Sequence, residues 1–265
     1  MQKDTRTGKK TLPSSLCKHV SFRVPTSWGE LTQEHLRYVL KLLFIYREQA
    51  DGMNTVKSWA LSKFCGFEVV RKLDSGWLCE LHKSRKTFLL NPELLPSIMD
   101  QLSWLDHPEE MTVRMEMVEG YKAVDMLFRE LPFGSYLILE NFYQSYLQTH
   151  DEVLLQKMFR ILYSVPDDAT VNIRPYVLLS VFFWYNATKH TYSKAFPHFL
   201  KPVAEGQQTG TQESQREMMD AQIRLLTKGD VTKKKAILNV PAWDALTELD
   251  ALARDSEEFK RKYGK

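Results

Sequence analysis

The sequence predicts a mainly α protein of the α+β class. A small N-terminal helix and β-hairpin region precedes a larger helical bundle and an amphipathic C-terminal helix. Three observations predict this. Leu36, Val39, Leu40, Leu43 and Tyr46 recur at helical spacing behind Thr32, a residue type that caps helix N-termini. Phe67-Glu68-Val69-Val70-Arg71 and Trp77-Leu78-Cys79-Glu80-Leu81 are strand-like runs joined by Asp74-Ser75-Gly76, a turn that places glycine where positive φ is needed. From Phe133 onward the apolar pattern is almost wholly helical.

In chain order, residues 1–19 read as a disordered basic tail rich in Lys and Thr. Residues 20–130 form the helix and hairpin region. Ser21-Phe22-Arg23-Val24 alternates and stops at Pro25, which predicts a short edge strand. The first helix follows Thr32. A second spans Thr55 to Cys65 and ends on Gly66. Thr87 to Leu90 adds a third strand, and Asn91-Pro92 starts another helix with Asn as cap and Pro in the first turn. A second hairpin centres on Glu119-Gly120.

Residues 131–200 are the helical core. Phe133 to Gln148 is one helix, and Thr149-His150-Asp151-Glu152 has capping-box spacing for the next, which runs through Tyr163. Pro175 opens a long helix that is apolar on nearly every side and therefore belongs at the centre; Pro197 ends it. Residues 201–215 have linker composition. Residues 216–265 hold the C-terminal helices: one from Gln215 to Lys228, a shorter one after Thr232, and one from Pro241 to about Lys262.

Composition narrows the function classes. With 43% hydrophobic and 12% aromatic residues among 265, the chain has ample material for a core. The net charge is +3, but residues 1–24 carry six of the 36 bases and one of the 33 acids. The remaining 30 bases face 32 acids, so the basic excess lies in the tail. A nucleic-acid binder usually carries that excess as a patch on its fold. No apolar run follows the basic N-terminal residues as in a secretory signal. Three cysteines, few and odd in number, suit a reducing compartment. The most apolar stretch, Tyr176 to Tyr185, is half the roughly 20 residues a membrane helix needs. A cytoplasmic protein without membrane partners is expected.

No H-E-x-x-H, G-x-S-x-G or P-loop pattern occurs, so the expectation is no enzyme and no cofactor. Cys65, Cys79 and His82 are the best metal candidates, but a structural zinc wants four ligands and no fourth is nearby in sequence, so two half-buried thiols beside a surface histidine is the favoured reading. Glu109-Glu110 and Asp167-Asp168 lie beside prolines in loop-like sequence, where acids also cap and turn. Two helices followed by a basic hairpin have the order of a winged-helix DNA binder. Arg71, Lys72, Lys83, Arg85 and Lys86 could track phosphates, and Lys57, Ser58 and Lys63 are the polar readers of the second helix. In the last helix Trp243, Leu246, Leu249, Leu252 and Phe259 are candidate partner-binding residues. That stripe either lies in a partner's groove or folds back on its own core.

Several segments carry a family likeness: Val24-Pro25-Thr26-Ser27-Trp28-Gly29-Glu30-Leu31-Thr32, Asn141-Phe142-Tyr143-Gln144, Phe196-Pro197-His198-Phe199, Ala221-Gln222-Ile223-Arg224, Leu226-Thr227-Lys228-Gly229-Asp230 and Trp243-Asp244-Ala245-Leu246-Thr247-Glu248-Leu249. From about Val24 onward the chain resembles a family of uncharacterised proteins encoded in prophages and mobile elements of gut bacteria. None of these segments is a catalytic motif. The resemblance implies a place among virion structural and tail genes, hence a virion component or tail assembly factor, cytoplasmic in the bacterial host or virion-associated, with phage structural proteins as partners. The alternatives are a nucleic-acid-binding regulator built on the N-terminal helices and hairpin, and an enzyme of unrecognised type.

Overall fold

The computed structural model describes residues 20–200 and 212–263. The expected tail over 1–19 and most of the expected linker over 201–215 lie outside the described residues. The chain enters in extended form, and the edge strand expected over Ser21–Val24 is absent. The Phe22 ring instead packs 5.7 Å from Phe67 and 5.3 Å from Phe88, so this segment meets the sheet through a side chain instead of a backbone ladder. A 3-10 turn over Trp28–Glu30 then buries Trp28 edge-on against Trp104.

α1 (Gln33–Tyr46) starts where Thr32 accepts a hydrogen bond from the His35 amide, and buries Leu36, Val39, Leu40 and Leu43. α2 (Gly52–Cys65) begins three residues before the expected Thr55. At Gly52 an added Cβ would stand 1.8 Å from the Tyr46 carbonyl oxygen, so only glycine lets the chain reverse there. Gly66, at φ 64°, ends the helix as expected. β1 (Phe67–Leu73), β2 (Gly76–Leu81) and β3 (Thr87–Leu90) form an antiparallel sheet in that order, with an irregularity between Val69 and Arg71. Asn91 caps a 3-10 turn that leads into α3 (Leu95–Gln101). The second hairpin is the pair β4 (Met117–Val118) and β5 (Tyr121–Lys122), turning through Glu119 and Gly120 at φ 48° and 85°.

α4 (Phe133–Thr149) and α5 (Glu152–Leu162) form a hairpin whose turn differs from the expected capping box. Thr149 still belongs to α4, and its hydroxyl donates back to the Ser145 carbonyl. His150 takes the left-handed conformation that closes α4, and the Asp151 carboxylate accepts from the Val153 amide to open α5. So short a turn leaves no room for a separate cap two residues earlier, at Thr149. α6 (Pro175–Ala195) buries residues on nearly every side, including Leu178, Val181, Trp184, Tyr185 and Tyr192, and packs against α1 and α5. α7 (Gln212–Thr227), a 3-10 turn with α8 (Lys234–Leu238), and α9 (Ala242–Tyr263) complete the fold. One cluster of buried residues runs from Trp28 to Leu249, so the helix–hairpin region, the bundle and α9 share a core.

A polar staple crosses this core. The Glu140 carboxylate on α4 accepts from Lys189 Nζ (2.5 Å), Gln144 (2.7 Å) and the Tyr185 hydroxyl (2.8 Å). Burial pushes the carboxyl up, but the Lys189 charge and the three donors outweigh it and hold Glu140 below its ordinary range. No described helix is long and apolar enough to cross a membrane.

Candidate partner-binding site

α9 carries an apolar stripe at helical spacing, Ala245, Leu249, Leu252, Phe259 and Tyr263, interrupted by the exposed Ser256. Its first half is locked to the body. A bridge pairs Pro132 with Pro241, the Phe133 amide donates to the Val240 carbonyl (2.8 Å), and the Ala242 amide donates to the Leu131 carbonyl (2.7 Å). The Trp243 ring meets Phe196 at 5.0 Å and Tyr192 at 5.7 Å, while the Arg129 guanidinium stands 5.5 Å from its centroid. Leu246 and Leu249 are 0% and 1% exposed. Further along, the Asp250 carboxylate accepts from the His198 and Phe199 amides (2.8 and 3.0 Å), and the Glu257 carboxylate lies 2.9 Å from His198 Nδ1. The Phe196-Pro197-His198-Phe199 segment is therefore a buckle between the end of α6 and α9.

Beyond Glu257 the helix continues through Tyr263 with its stripe uncovered. Phe259 is 65% exposed and Tyr263 71%, their rings 4.9 Å apart. Lys260, Arg261 and Lys262 surround them, all exposed. The expected partner-binding set is thus divided. Leu246 and Leu249 are buried where α4 and α7 pack on α9, and Trp243 is partly covered by Tyr192 and Phe196. Leu252 is half-buried at the boundary, and Phe259 stands free.

The nucleic-acid set divides too. Arg71 and Lys72 on β1, and Lys83 and Lys86 after β2, are exposed. Arg85 is drawn to carboxylates instead, 2.7 Å from Glu80 and 4.0 Å from Glu68. On α2, Lys57 is buried against Asp106 at 2.6 Å and Lys63 binds Glu34 at 2.5 Å, so neither expected reader is available; Ser58 and Trp59 face outward. Lys57 turns inward because Asp106, far along the chain, supplies the charge that makes burial tolerable.

The cysteines are quiet. Burial pushes the Cys65 and Cys79 thiols up to about 11, so at neutral pH both are protonated and poor nucleophiles. Among the described residues no group of three or more His, Cys, Asp or Glu side chains could hold a metal ion.

A cleft of about 710 Å³ opens between the N-terminal segment, the 103–112 turns and the second half of α6. Its charged lining is Glu109, Glu110, Asp125, Arg129, His190 and Lys194, brought together from three parts of the chain. Part of this charge is already engaged. Burial raises Glu109, but its own backbone amide, the His107 hydrogen bond (2.9 Å) and the charges of His107 and His190 hold it below its usual value. Asp125 accepts from the Leu127 and Arg129 amides, which holds Phe128 at φ 54° with its ring in the core. Among the described residues no Ser, Thr or Cys side chain hydrogen-bonds to a histidine ring, so no activated nucleophile is assembled here. Sequence reasoning saw Glu109-Glu110 alone; nothing local announces its neighbours. No protein-family model, curated protein or solved structure matches the chain.

Proposed function

We propose that this chain is a non-enzymatic protein–protein interaction component of phage or mobile-element assembly, a virion component or tail assembly factor. It acts in the cytoplasm of the bacterial host or on the particle. The observation that carries the interaction role is the divided stripe of α9. One face is committed to the core as far as Leu249 and then presents two large aromatic rings to solvent. Covering an aromatic side chain returns about 1.5–3 kcal/mol, and buried aromatics are the commonest anchors of interfaces. The assembly setting rests on the family resemblance of the segments named above.

Affinity capture from cells expressing the neighbouring genes, repeated with nuclease and with high salt, tests this reading. Recovery of structural proteins that survives nuclease supports it. Recovery that vanishes with nuclease favours a nucleic-acid-binding regulator, for which the exposed row Arg71, Lys72, Lys83 and Lys86 is the surface.

A further inference from the structure

Resting on that reading, we infer that the tip of α9 is a helix-in-groove ligand for an acid-rimmed, apolar-floored groove on a different protein. Phe259 and Tyr263 are four residues apart, so they project from one side of the helix as a pair of anchors. The Tyr263 hydroxyl adds a polar end to an otherwise apolar contact. Around the pair, Lys260, Arg261 and Lys262 occupy the other directions of the helix surface, and none forms an ion pair among the described residues. The acids nearest the tip are partly used: Glu257 faces His198, and Asp255 lies 3.5 Å from Arg254. Cations near a helix C-terminus offset its dipole, but that effect is confined to the last turn and amounts to about half a unit charge. Three lysine and arginine side chains exceed this together with the exposed Glu258 beside Phe259, leaving a collar with an excess of positive charge around the two rings.

A second copy of this chain is the poorer occupant. Apposed tips would set one positive collar against another. A concave partner that covers the rings and meets the collar with carboxylates satisfies both features, and complementary charge chiefly raises the rate and selectivity of encounter.

The test uses the full chain and each structural protein recovered with it, purified singly, with binding measured by calorimetry at low and high salt and mass by light scattering. The inference expects a monomer whose binding weakens as salt rises. Phe259→Ala should weaken binding tenfold or more. Charge reversal at Lys260, Arg261 and Lys262 together should weaken it as much and remove most of the salt dependence. Both variants alter exposed side chains, so unchanged melting temperatures confirm that contact alone was changed. Loss with Phe259→Ala but full binding by the charge-reversed variant overturns the acidic groove and leaves the interaction role standing. A dimer that Phe259→Ala dissociates overturns it in favour of a second copy. Binding indifferent to both changes removes the tip from the interaction altogether.

Discussion

The base and the tip of α9 are the same helix, with the same stripe and the same period, and they have opposite fates. At the base, Leu246 and Leu249 are buried where α9 packs on α4 and α7. At the tip, the larger aromatic rings of Phe259 and Tyr263 stand in solvent. Periodicity identifies a face; it does not say what covers it. What covers the base is long-range: Leu131, Phe133, Tyr192 and His198 reach it from more than forty residues away. The base is therefore structural and the tip available, and each statement can be broken separately.

The largest expected effect is at the base. Leu246→Ala removes a fully buried side chain beside Trp243 and should destabilise the protein by about 2–5 kcal/mol in urea unfolding. A loss below 1 kcal/mol would mean that α9 leaves the body easily and that the distinction between base and tip fails. Next comes the buckle. Asp250→Ala strands the His198 and Phe199 amides, half-buried, and should cost about 1–3 kcal/mol. The same variant should hasten proteolysis within α9, which locates the loss at the buckle and not elsewhere in the fold.

Much of the fold was legible because it is local. Thr32 before its apolar stripe, Gly66 after Cys65, and the glycine turns at Gly76 and Gly120 each settle an element from a few neighbouring residues. What escaped sequence reasoning depends on distant partners. Ser21–Val24 alternates like a strand, but Phe22 finds Phe67 and Phe88 and its backbone stays unpaired with the sheet. Thr149 has the spacing of a cap, but α4 runs one residue too far. Lys57 looked like a surface reader until Asp106 arrived beside it. The candidate site was half legible. The stripe could be read from the sequence, but the point where its cover ends could not, since that point is set by His198 and the end of α6.

Acid provides a gentler way to separate the two ends. Glu140 is held below its ordinary value in the fold, so its stabilisation is complete above the unfolded glutamate value of about 4.3. It is lost as pH falls through the folded value. Stability should therefore drop on acidification in that window, and Glu140→Gln should flatten this part of the profile in pH-dependent urea unfolding. Lys189 would then lack its carboxylate, which lowers the plateau at neutral pH as well. Because the staple ties α4, which packs against the base of α9, to α6, loosening it should raise exchange of the base amides. The tip amides, beyond the buckle, should exchange rapidly at every pH. Equal protection at both ends would contradict the division.

The smallest effect is the one that matters most for function. Phe259→Ala should change unfolding free energy by no more than about 0.5 kcal/mol, because two-thirds of the side chain already faces water and its partner ring, Tyr263, is more exposed still. The contrast with Leu246→Ala is then at least fourfold for two apolar truncations on one helix. A change above 1 kcal/mol at Phe259 would mean that the chain itself covers the tip in solution, and the anchors would have to be sought elsewhere. A near-zero change in stability, coupled to a lost interaction, would separate folding from binding along a single helix: the residues up to Leu249 hold the protein together, and those from Phe259 hold something else.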